Sequence, residues 1–156
     1  MMADCVAADQ TREAYAACYQ ENLAWAATQA ASVGVTLLIE PINTRDMPGY
    51  LLNYQHEAHA LVQAIGSEFL KVQMDLYHCQ ITEGDVGTKL RQCLPTGRVA
   101  HLQIAGVPQR QEPNGGELNY QYLFGILEEL GYGDWIGCEY RPAAGTQAGL
   151  GWLRLF

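Results

Sequence analysis

The chain has 156 residues, 49% of them hydrophobic and 17% charged, so it can bury a core and is not disordered. Its formal net charge of -8 disfavours nucleic acid as a partner, because an acidic surface repels a phosphate backbone. The five cysteines are odd in number and include no CxxC pair, which predicts free thiols. The sequence has neither a leader-like start nor a long apolar run, which predicts a cytoplasmic protein that does not contact a membrane.

Helix and strand patterns alternate along the whole chain. Apolar residues at three- and four-residue spacing predict a helix over residues 9–32, with Asp9 or Thr11 as its cap and Gly34 at its end. Short apolar runs predict strands over residues 35–39, 69–74, 99–104 and 135–140. Further helices are expected over residues 56–65, 83–93, 120–130 and 146–153. This alternation is typical of an α/β fold with four parallel strands, and we expect a single domain over residues 1–156.

One polar residue stands near the end of each predicted strand, namely Glu40, Asp75, Gln103 and Glu139. Their spacing keeps step with the roughly 31 residues that each unit takes in an eight-unit barrel of about 250 residues. The carboxyl ends of parallel strands share one edge, so these side chains are expected to converge there. Crowded carboxylates repel one another, and a hard cation such as Mg²⁺ or Mn²⁺ relieves that repulsion. The alternative is that each acid caps a helix or pairs with Arg45, Arg110 or Arg141.

Other residues near these strand ends have two interpretations each. His78 follows Asp75 on a predicted loop, where it either contacts a substrate hydroxyl or is a half-exposed histidine. Arg110 follows the third strand and either clamps a substrate carboxylate or is solvated. Residues 43–50 line the pocket or form a surface turn. Three further acids are interpreted as caps or surface carboxylates: Glu83, Asp85 and Glu117.

Several segments of this sequence resemble the hydroxypyruvate isomerase family. They follow one another in the family's order over residues 21–152, and several are too long to arise by chance. The segments are residues 38–43, 45–50, 73–78, 83–85, 101–105, 112–113, 116–120 and 137–142. The broader relatives are the xylose-isomerase-like barrels, which include ketose 3-epimerases.

The resemblance implies a fold, a site and a reaction. The fold is the C-terminal half of a (β/α)8 TIM barrel. Four residues match the family's divalent-metal positions: Glu40, Asp75, Gln103 and Glu139. Among these, Glu40 and Glu139 match its two proton donor/acceptor glutamates, while His78 and Arg110 match substrate-contacting positions. The implied enzyme is an intramolecular oxidoreductase of the aldose–ketose type, which interconverts hydroxypyruvate and 2-hydroxy-3-oxopropanoate with Mg²⁺ or Mn²⁺ and without an organic cofactor.

The family has about four more βα units before the part that this chain matches. The first and last strands are therefore expected to expose unpaired edges, and the inner face of the sheet is expected to be an open apolar surface. Such a face predicts a homo-oligomer formed through the open side of the barrel. The alternative function is a truncated, catalytically inactive isoform that acts as a dimerisation or regulatory partner. A metal-dependent lyase or endonuclease is a third hypothesis, which the acidic charge disfavours.

Overall fold

Four parallel strands form one sheet, and helices connect them. The computed structural model describes residues 1–155. Its elements in chain order are α1 (Arg12–Val33), β1 (Leu37–Ile39), α2 (Gln55–Ile65), β2 (Leu70–Asp75), α3 (Leu76–Thr82), α4 (Val86–Cys93), β3 (Val99–Ile104), α5 (Tyr120–Glu129) and β4 (Ile136–Cys138). Two 3-10 helices, Leu94–Thr96 and Ala148–Leu155, complete the set. None of the helices in this described part is both long enough and apolar enough to span a membrane.

The strands lie side by side in chain order, and every neighbouring pair is parallel. This confirms the predicted α/β fold. In the register of the sheet, Asp75 stands opposite Gln103, and Gln103 stands opposite Gly137. Glu40 and Glu139 each follow the last residue of an outer strand. The four predicted polar residues therefore all lie at the carboxyl edge of the sheet.

Residues alternate along each strand between a face packed on helices and an open face. Leu70, Val72 and Met74 are fully buried and belong to the main hydrophobic core. The intervening residues Lys71 and Gln73 are only half-buried. Since the sheet period is two, those intervening side chains share the opposite face.

The open face of the sheet is largely polar, so the expectation of an apolar inner face is wrong for this chain. A Cβ added at Gly137 would lie 2.9 Å from His101 Nε2 and 3.2 Å from Gln103 Cγ, which places both side chains on this face. Gln73 reaches Gln103 across the same face, where its Nε2 donates to Gln103 Oε1 at 2.7 Å. Leu38, paired in register with Lys71, is an apolar exception. Polar side chains therefore stand where the missing βα units of the family had suggested an apolar layer.

Helix α1 begins and ends at the predicted signals, with a later start. Thr11 Oγ1 accepts a hydrogen bond from the backbone N–H of Ala14 at 3.2 Å, so Thr11 rather than Asp9 is the cap. Gly34 ends the helix in the left-handed region, at a φ of 67°. The buried stripe, Tyr19, Leu23, Ala27 and Ala30, follows the predicted spacing.

The segment after β2 differs most from the prediction. Asp75 caps α3, which places His78 in the first turn of a helix rather than on a loop. The helix expected over residues 83–93 begins only at Val86. Gly84 and Asp85 have φ values of 68° and 49°, and this left-handed pair separates α3 from α4. Glu83, interpreted as a cap or surface carboxylate, has a side chain only 7% exposed, and its Oε1 accepts from the backbone N–H of Gln55, the first residue of α2.

The first residues of the chain pack along β1 and the loop that follows it. The Met1 amino group donates to the Leu38 carbonyl, and the Ala3 backbone N–H donates to the Tyr50 hydroxyl at 2.9 Å. Cys5 and Tyr50 form an isolated antiparallel bridge. This segment therefore lies beside the outer edge of the first strand.

Candidate active site

Three carboxylates from three strand ends meet at the carboxyl edge of the sheet. We call Glu40, Asp75 and Glu139 the acidic rim. One ligand atom from each of them, and one ring nitrogen of His78, all lie within 4.8 Å of one another. The predicted convergence of these three acids is therefore present in the structure. Such a cluster of oxygen ligands suits a hard divalent cation.

Burial and neighbouring negative charge make two of the rim carboxyls, Glu40 and Asp75, hard to ionise. The pKa of Glu40 is raised to about 7, chiefly by burial and then by the charges of Asp75 and Glu139. Burial also raises the pKa of Asp75 to about 7, against the lowering effect of the Tyr77 backbone N–H and of Arg110. Burial is thus the main reason that both carboxyls retain their protons to a higher pH than usual.

Two rim oxygens are available to a cation. Glu40 Oε1 and Asp75 Oδ2 are buried and have no hydrogen-bond partner among the described residues. Buried polar atoms are normally paired, so each orphan needs an explanation. A divalent cation would satisfy both atoms and offset the repulsion within the acidic rim. By this criterion the residues present fit the metal that the sequence predicts.

His78 is buried between the acidic rim and the loop after β1. Its Nε2 lies 3.7 Å from Asp75 Oδ2 and 4.0 Å from Glu40 Oε1. Its Nδ1 contacts two nitrogens of Asn43, the side-chain Nδ2 at 2.6 Å and the backbone nitrogen at 3.3 Å. Burial, followed by the charge of Arg110, lowers the pKa of His78 to about 4. The ring is therefore neutral near pH 7.

Arg110 supplies positive charge at the acidic rim. Its Nη2 lies 2.6 Å from Glu139 Oε2 and 3.7 Å from Asp75 Oδ2. The guanidinium also stacks 4.9 Å from the centre of the Tyr77 ring. Arg110 has a φ of 57°, an uncommon conformation for a residue other than glycine. The structure thus brings Arg110 to the site, whereas its contact with substrate stays a prediction.

Gln103 lies beside the acidic rim, with its side-chain oxygen engaged. It stands opposite Asp75 in the sheet, and its Oε1 accepts the hydrogen bond from Gln73. A ligand role would require this oxygen to turn from Gln73 to the cation. The position of Gln103 agrees with the sequence, and its role as a ligand stays a prediction.

A cavity of about 610 Å³ opens above the acidic rim. Its lining includes three arginines, Arg45, Arg110 and Arg141, together with Glu40, Glu139 and His78. Arginines suit the carboxylate of an anionic ligand. Three acids also line the cavity, Glu40, Asp46 and Glu139, so the arginines supply positive charge within a mixed lining.

Residues after β1 contribute more to this cavity than their pattern alone indicated. Arg45, Asp46 and Met47 line it, so the pocket-wall interpretation of residues 43–50 is the better one. Arg45 Nη2 donates to the Tyr77 hydroxyl at 2.9 Å, and that hydroxyl donates to Asp46 Oδ2 at 2.7 Å. The sequence marked this run only as polar and rich in turn residues, and no spacing signal singled out Asn43.

The fold and the site together define a class. Parallel βα units with acids at the carboxyl ends of the strands are the arrangement of TIM-barrel enzymes, whose active sites lie at that edge. Residues 3–156 match the xylose isomerase-like TIM barrel family, and the chain belongs to that family.

Individual relatives agree with this assignment. The chain is 58% identical over 154 residues to the 2-oxo-tetronate isomerase of Cupriavidus necator, which covers 99% of this chain and 58% of that protein. It is 44% identical over 133 residues to the hydroxypyruvate isomerase of Escherichia coli, which covers 85% of this chain and 51% of that protein. A crystal structure from Brucella melitensis, described as an AP endonuclease of family 2, matches with a TM-score of 0.89 at 44% identity and covers 96% of this chain and 57% of that one. The chain thus spans between 51% and 58% of the length of these relatives.

Proposed function

We propose that this chain carries the catalytic edge of an isomerase that acts on a small 2-oxo-3-hydroxy acid. The observation that carries the proposal is the acidic rim, where the buried Asp75 and the half-buried Glu40 both have a pKa of about 7 beside a cavity that three arginines and three acids line. The isomerase relatives from C. necator and E. coli support the same class of reaction. The net charge of -8 argues against the nuclease alternative, because a nuclease must attract a phosphate backbone.

Hydroxypyruvate is the first candidate substrate. The reaction would convert it to 2-hydroxy-3-oxopropanoate, as the sequence resemblance implies. The relative named for 2-oxo-tetronate is 58% identical, which favours that acid as the second candidate. Both compounds carry a carboxylate, an adjacent ketone and a hydroxyl on the next carbon. The arginines of the cavity, Arg45, Arg110 and Arg141, are suited to their shared carboxylate.

The acidic rim would hold Mg²⁺ or Mn²⁺, with Gln103 as a fourth ligand. Oxygen ligands without a cysteine favour these hard cations. When bound, the cation supplies a Lewis acid that polarises the carbonyl and hydroxyl oxygens of the substrate. The reaction involves no net oxidation, so we propose no organic cofactor.

The two glutamates would carry the proton between neighbouring carbons. One of Glu40 and Glu139 removes the proton from the hydroxyl-bearing carbon, and the substrate passes through an enediol. The other glutamate returns a proton to the former carbonyl carbon. A carboxyl with a pKa of about 7, as at Glu40, suits this task because it exchanges protons readily near neutral pH. Arg110 would hold Glu139 in place through their 2.6 Å contact.

The test is turnover by the purified chain. Hydroxypyruvate and 2-oxo-tetronate are incubated separately with the chain and Mg²⁺ or Mn²⁺, and each product is quantified by chromatography. We expect turnover of at least one acid, and its loss in Glu40→Gln. A folded chain without turnover of either acid, and with a solution mass above one protomer, would instead support the dimerisation or regulatory role.

A further inference from the structure

Asn43 holds the histidine of the site through two contacts on one ring nitrogen. Asn43 is fully buried, and His78 is 3% exposed. The Asn43 Nδ2 lies 2.6 Å from His78 Nδ1, and the Asn43 backbone nitrogen lies 3.3 Å from the same atom. The residue pattern places Asn43 in the run 43–50, which lines the pocket or forms a turn, and gives it no role of its own.

The orientation of the Asn43 amide is set by Asp46. The Asp46 backbone N–H donates to Asn43 Oδ1 at 2.8 Å, and Asn43 Nδ2 donates to Asp46 Oδ2 at 3.2 Å. A flipped amide would lose both bonds, because it would place an NH₂ against an N–H and a carbonyl oxygen against a carboxylate. Asn43 therefore presents N–H groups, and not its oxygen, to His78.

Two N–H donors aimed at one imidazole nitrogen decide which nitrogen carries the proton. His78 Nδ1 must accept from Asn43, so in the neutral ring the proton lies on Nε2. That Nε2 is 3.7 Å from Asp75 Oδ2 and 4.0 Å from Glu40 Oε1, both longer than a hydrogen bond. The Nε2 proton is therefore free to meet a third group between these two acids.

We propose that Asn43 is a positioning residue that locks His78 in the Nε2–H tautomer, so that His78 donates a hydrogen bond to a substrate oxygen at the acidic rim and does not ligate the cation. A metal-ligating histidine shows the opposite pattern, because it donates its second N–H to an oxygen. Here that second nitrogen faces donors. Although His78 lies within the group of possible ligands, its geometry excludes it from the ligand set. The hydrogen bond to substrate rests on the proposed function, whereas the tautomer does not.

The tautomer is measured directly by ¹⁵N–¹H correlation spectra of the imidazole rings in the metal-free chain, above pH 7. The chain has four histidines, and the His78 signals are assigned by their loss in His78→Gln. We expect the nitrogen shift of an unprotonated Nδ1 and a protonated Nε2. A protonated Nδ1 in the wild-type chain overturns the proposal, whatever the variants do.

Asn43→Asp should reverse the tautomer preference of His78. An aspartate at this position accepts from Nδ1–H, so the Nε2 lone pair is freed and His78 becomes a potential ligand. We expect the tautomer to shift toward Nδ1–H and the affinity for Zn²⁺ to rise roughly 10-fold, with a smaller change for Mg²⁺, because imidazole suits Zn²⁺. An unchanged tautomer in the folded variant contradicts the lock. Asn43→Ala is the second variant, and there we expect a mixture of both tautomers.

Asn53 provides the matched control. It is another buried asparagine of the same loop, and its Nδ2 donates to the Ile42 carbonyl at 2.8 Å without contacting His78. Asn53→Ala should leave the His78 tautomer unchanged. A changed tautomer in this variant would show that loss of any contact in the loop alters the ring, which would contradict the proposal. If the Nε2–H tautomer is found but neither hydroxypyruvate nor 2-oxo-tetronate is turned over, the proposed function fails and the proposal for Asn43 stands.

Discussion

The chain buries carboxylate oxygens in two places, and the two places differ in whether neighbouring groups hydrogen-bond to those oxygens. Glu83 lies between α2 and α4, where its oxygens accept from the Gln55 backbone N–H at 2.7 Å and pair with the Lys89 ammonium. In the acidic rim, Glu40 and Asp75 each bury an oxygen that accepts no hydrogen bond from a described group. One acid is satisfied by the fold, and the others are not.

This difference separates a structural acid from a functional one. A buried ion pair with its hydrogen bonds made stabilises the packing around it, and removing one partner is costly. A crowded, unsatisfied cluster costs stability and persists where a ligand completes it. We therefore expect changes at Glu83 to affect folding and changes at the acidic rim to affect binding and turnover.

The largest expected effect is on catalysis. Glu40→Gln should lower turnover by roughly 10²–10⁴-fold, because it removes a group that transfers protons. The isosteric Glu83→Gln should keep wild-type turnover per folded molecule, since Glu83 lies outside the cavity lining. Steady-state rates, normalised to the folded fraction from circular dichroism, make the comparison. Equal loss in both variants would remove the distinction between the two acids.

Cation binding should raise the thermal stability of the chain through the acidic rim and not through Glu83. Saturating Mn²⁺ should stabilise the wild-type chain by about 2.7 kcal/mol at 100 times its dissociation constant. Asp75→Asn should lose most of this gain, and Glu83→Gln should retain it. Melting curves with and without Mn²⁺, with a chelated sample as the reference, measure the effect. A gain that survives Asp75→Asn would place the cation elsewhere.

Without metal, the Glu83 variant rather than the Asp75 variant should be the one that loses stability. Glu83→Gln should lower the free energy of unfolding by roughly 1–3 kcal/mol, because Lys89 loses its charged partner. Asp75→Asn should be neutral or stabilising, since asparagine still accepts the Tyr77 N–H that caps α3 and one repelling charge disappears. Urea denaturation of the metal-free proteins measures both. Comparable losses in the two variants would contradict the account.

A pH dependence of stability with a defined sign is also expected. Asp75 has a pKa of about 7 in the folded chain against an ordinary value of 3.8, so the folded state retains a proton that the unfolded state releases. Stability from this group is fully present below about pH 4 and is lost as pH rises toward 7. Since the lowered pKa of His78 acts in the opposite direction, the wild-type curve alone is ambiguous.

The difference between Asp75→Asn and the metal-free wild type removes that ambiguity. The variant should gain stability relative to the wild type as pH rises from 4 to 7, and the gap should then stay constant. Denaturation midpoints at several pH values give the difference. A gap that stays constant from pH 4 to pH 7 would mean that folding does not raise the pKa of Asp75.

Much of the fold could be predicted from the sequence, because apolar runs and turn signals are local. The four strands and the caps at Thr11 and Gly34 depend on neighbouring residues alone. Helix α3 was missed because it has seven residues and begins directly after β2, without a turn between them. The polar open face was missed because the apolar face was inferred from the absent half of the barrel, whereas β2 itself alternates apolar residues with Lys71 and Gln73.

The site was predictable only as far as strand ends define it. Glu40, Asp75 and Glu139 converge because their strands are parallel, which their spacing already indicated. The contacts of Arg110 with Glu139, and of Asn43 with His78, join residues 29 and 35 positions apart through loop conformations that carry no periodic signal. The sequence therefore predicts which acids meet, and it offers Arg110 only as one of three arginines that could pair with them.

The most direct test of the central claim is a crystal structure of the chain grown with Mn²⁺, with diffraction data collected for the anomalous signal of manganese. The account predicts one strong anomalous peak at roughly 2.0–2.3 Å from oxygens of Glu40, Asp75 and Glu139, with Gln103 Oε1 turned toward it and His78 Nε2 outside the ligand sphere. No peak there at saturating Mn²⁺, or a peak held by His78 without the three carboxylates, would contradict it.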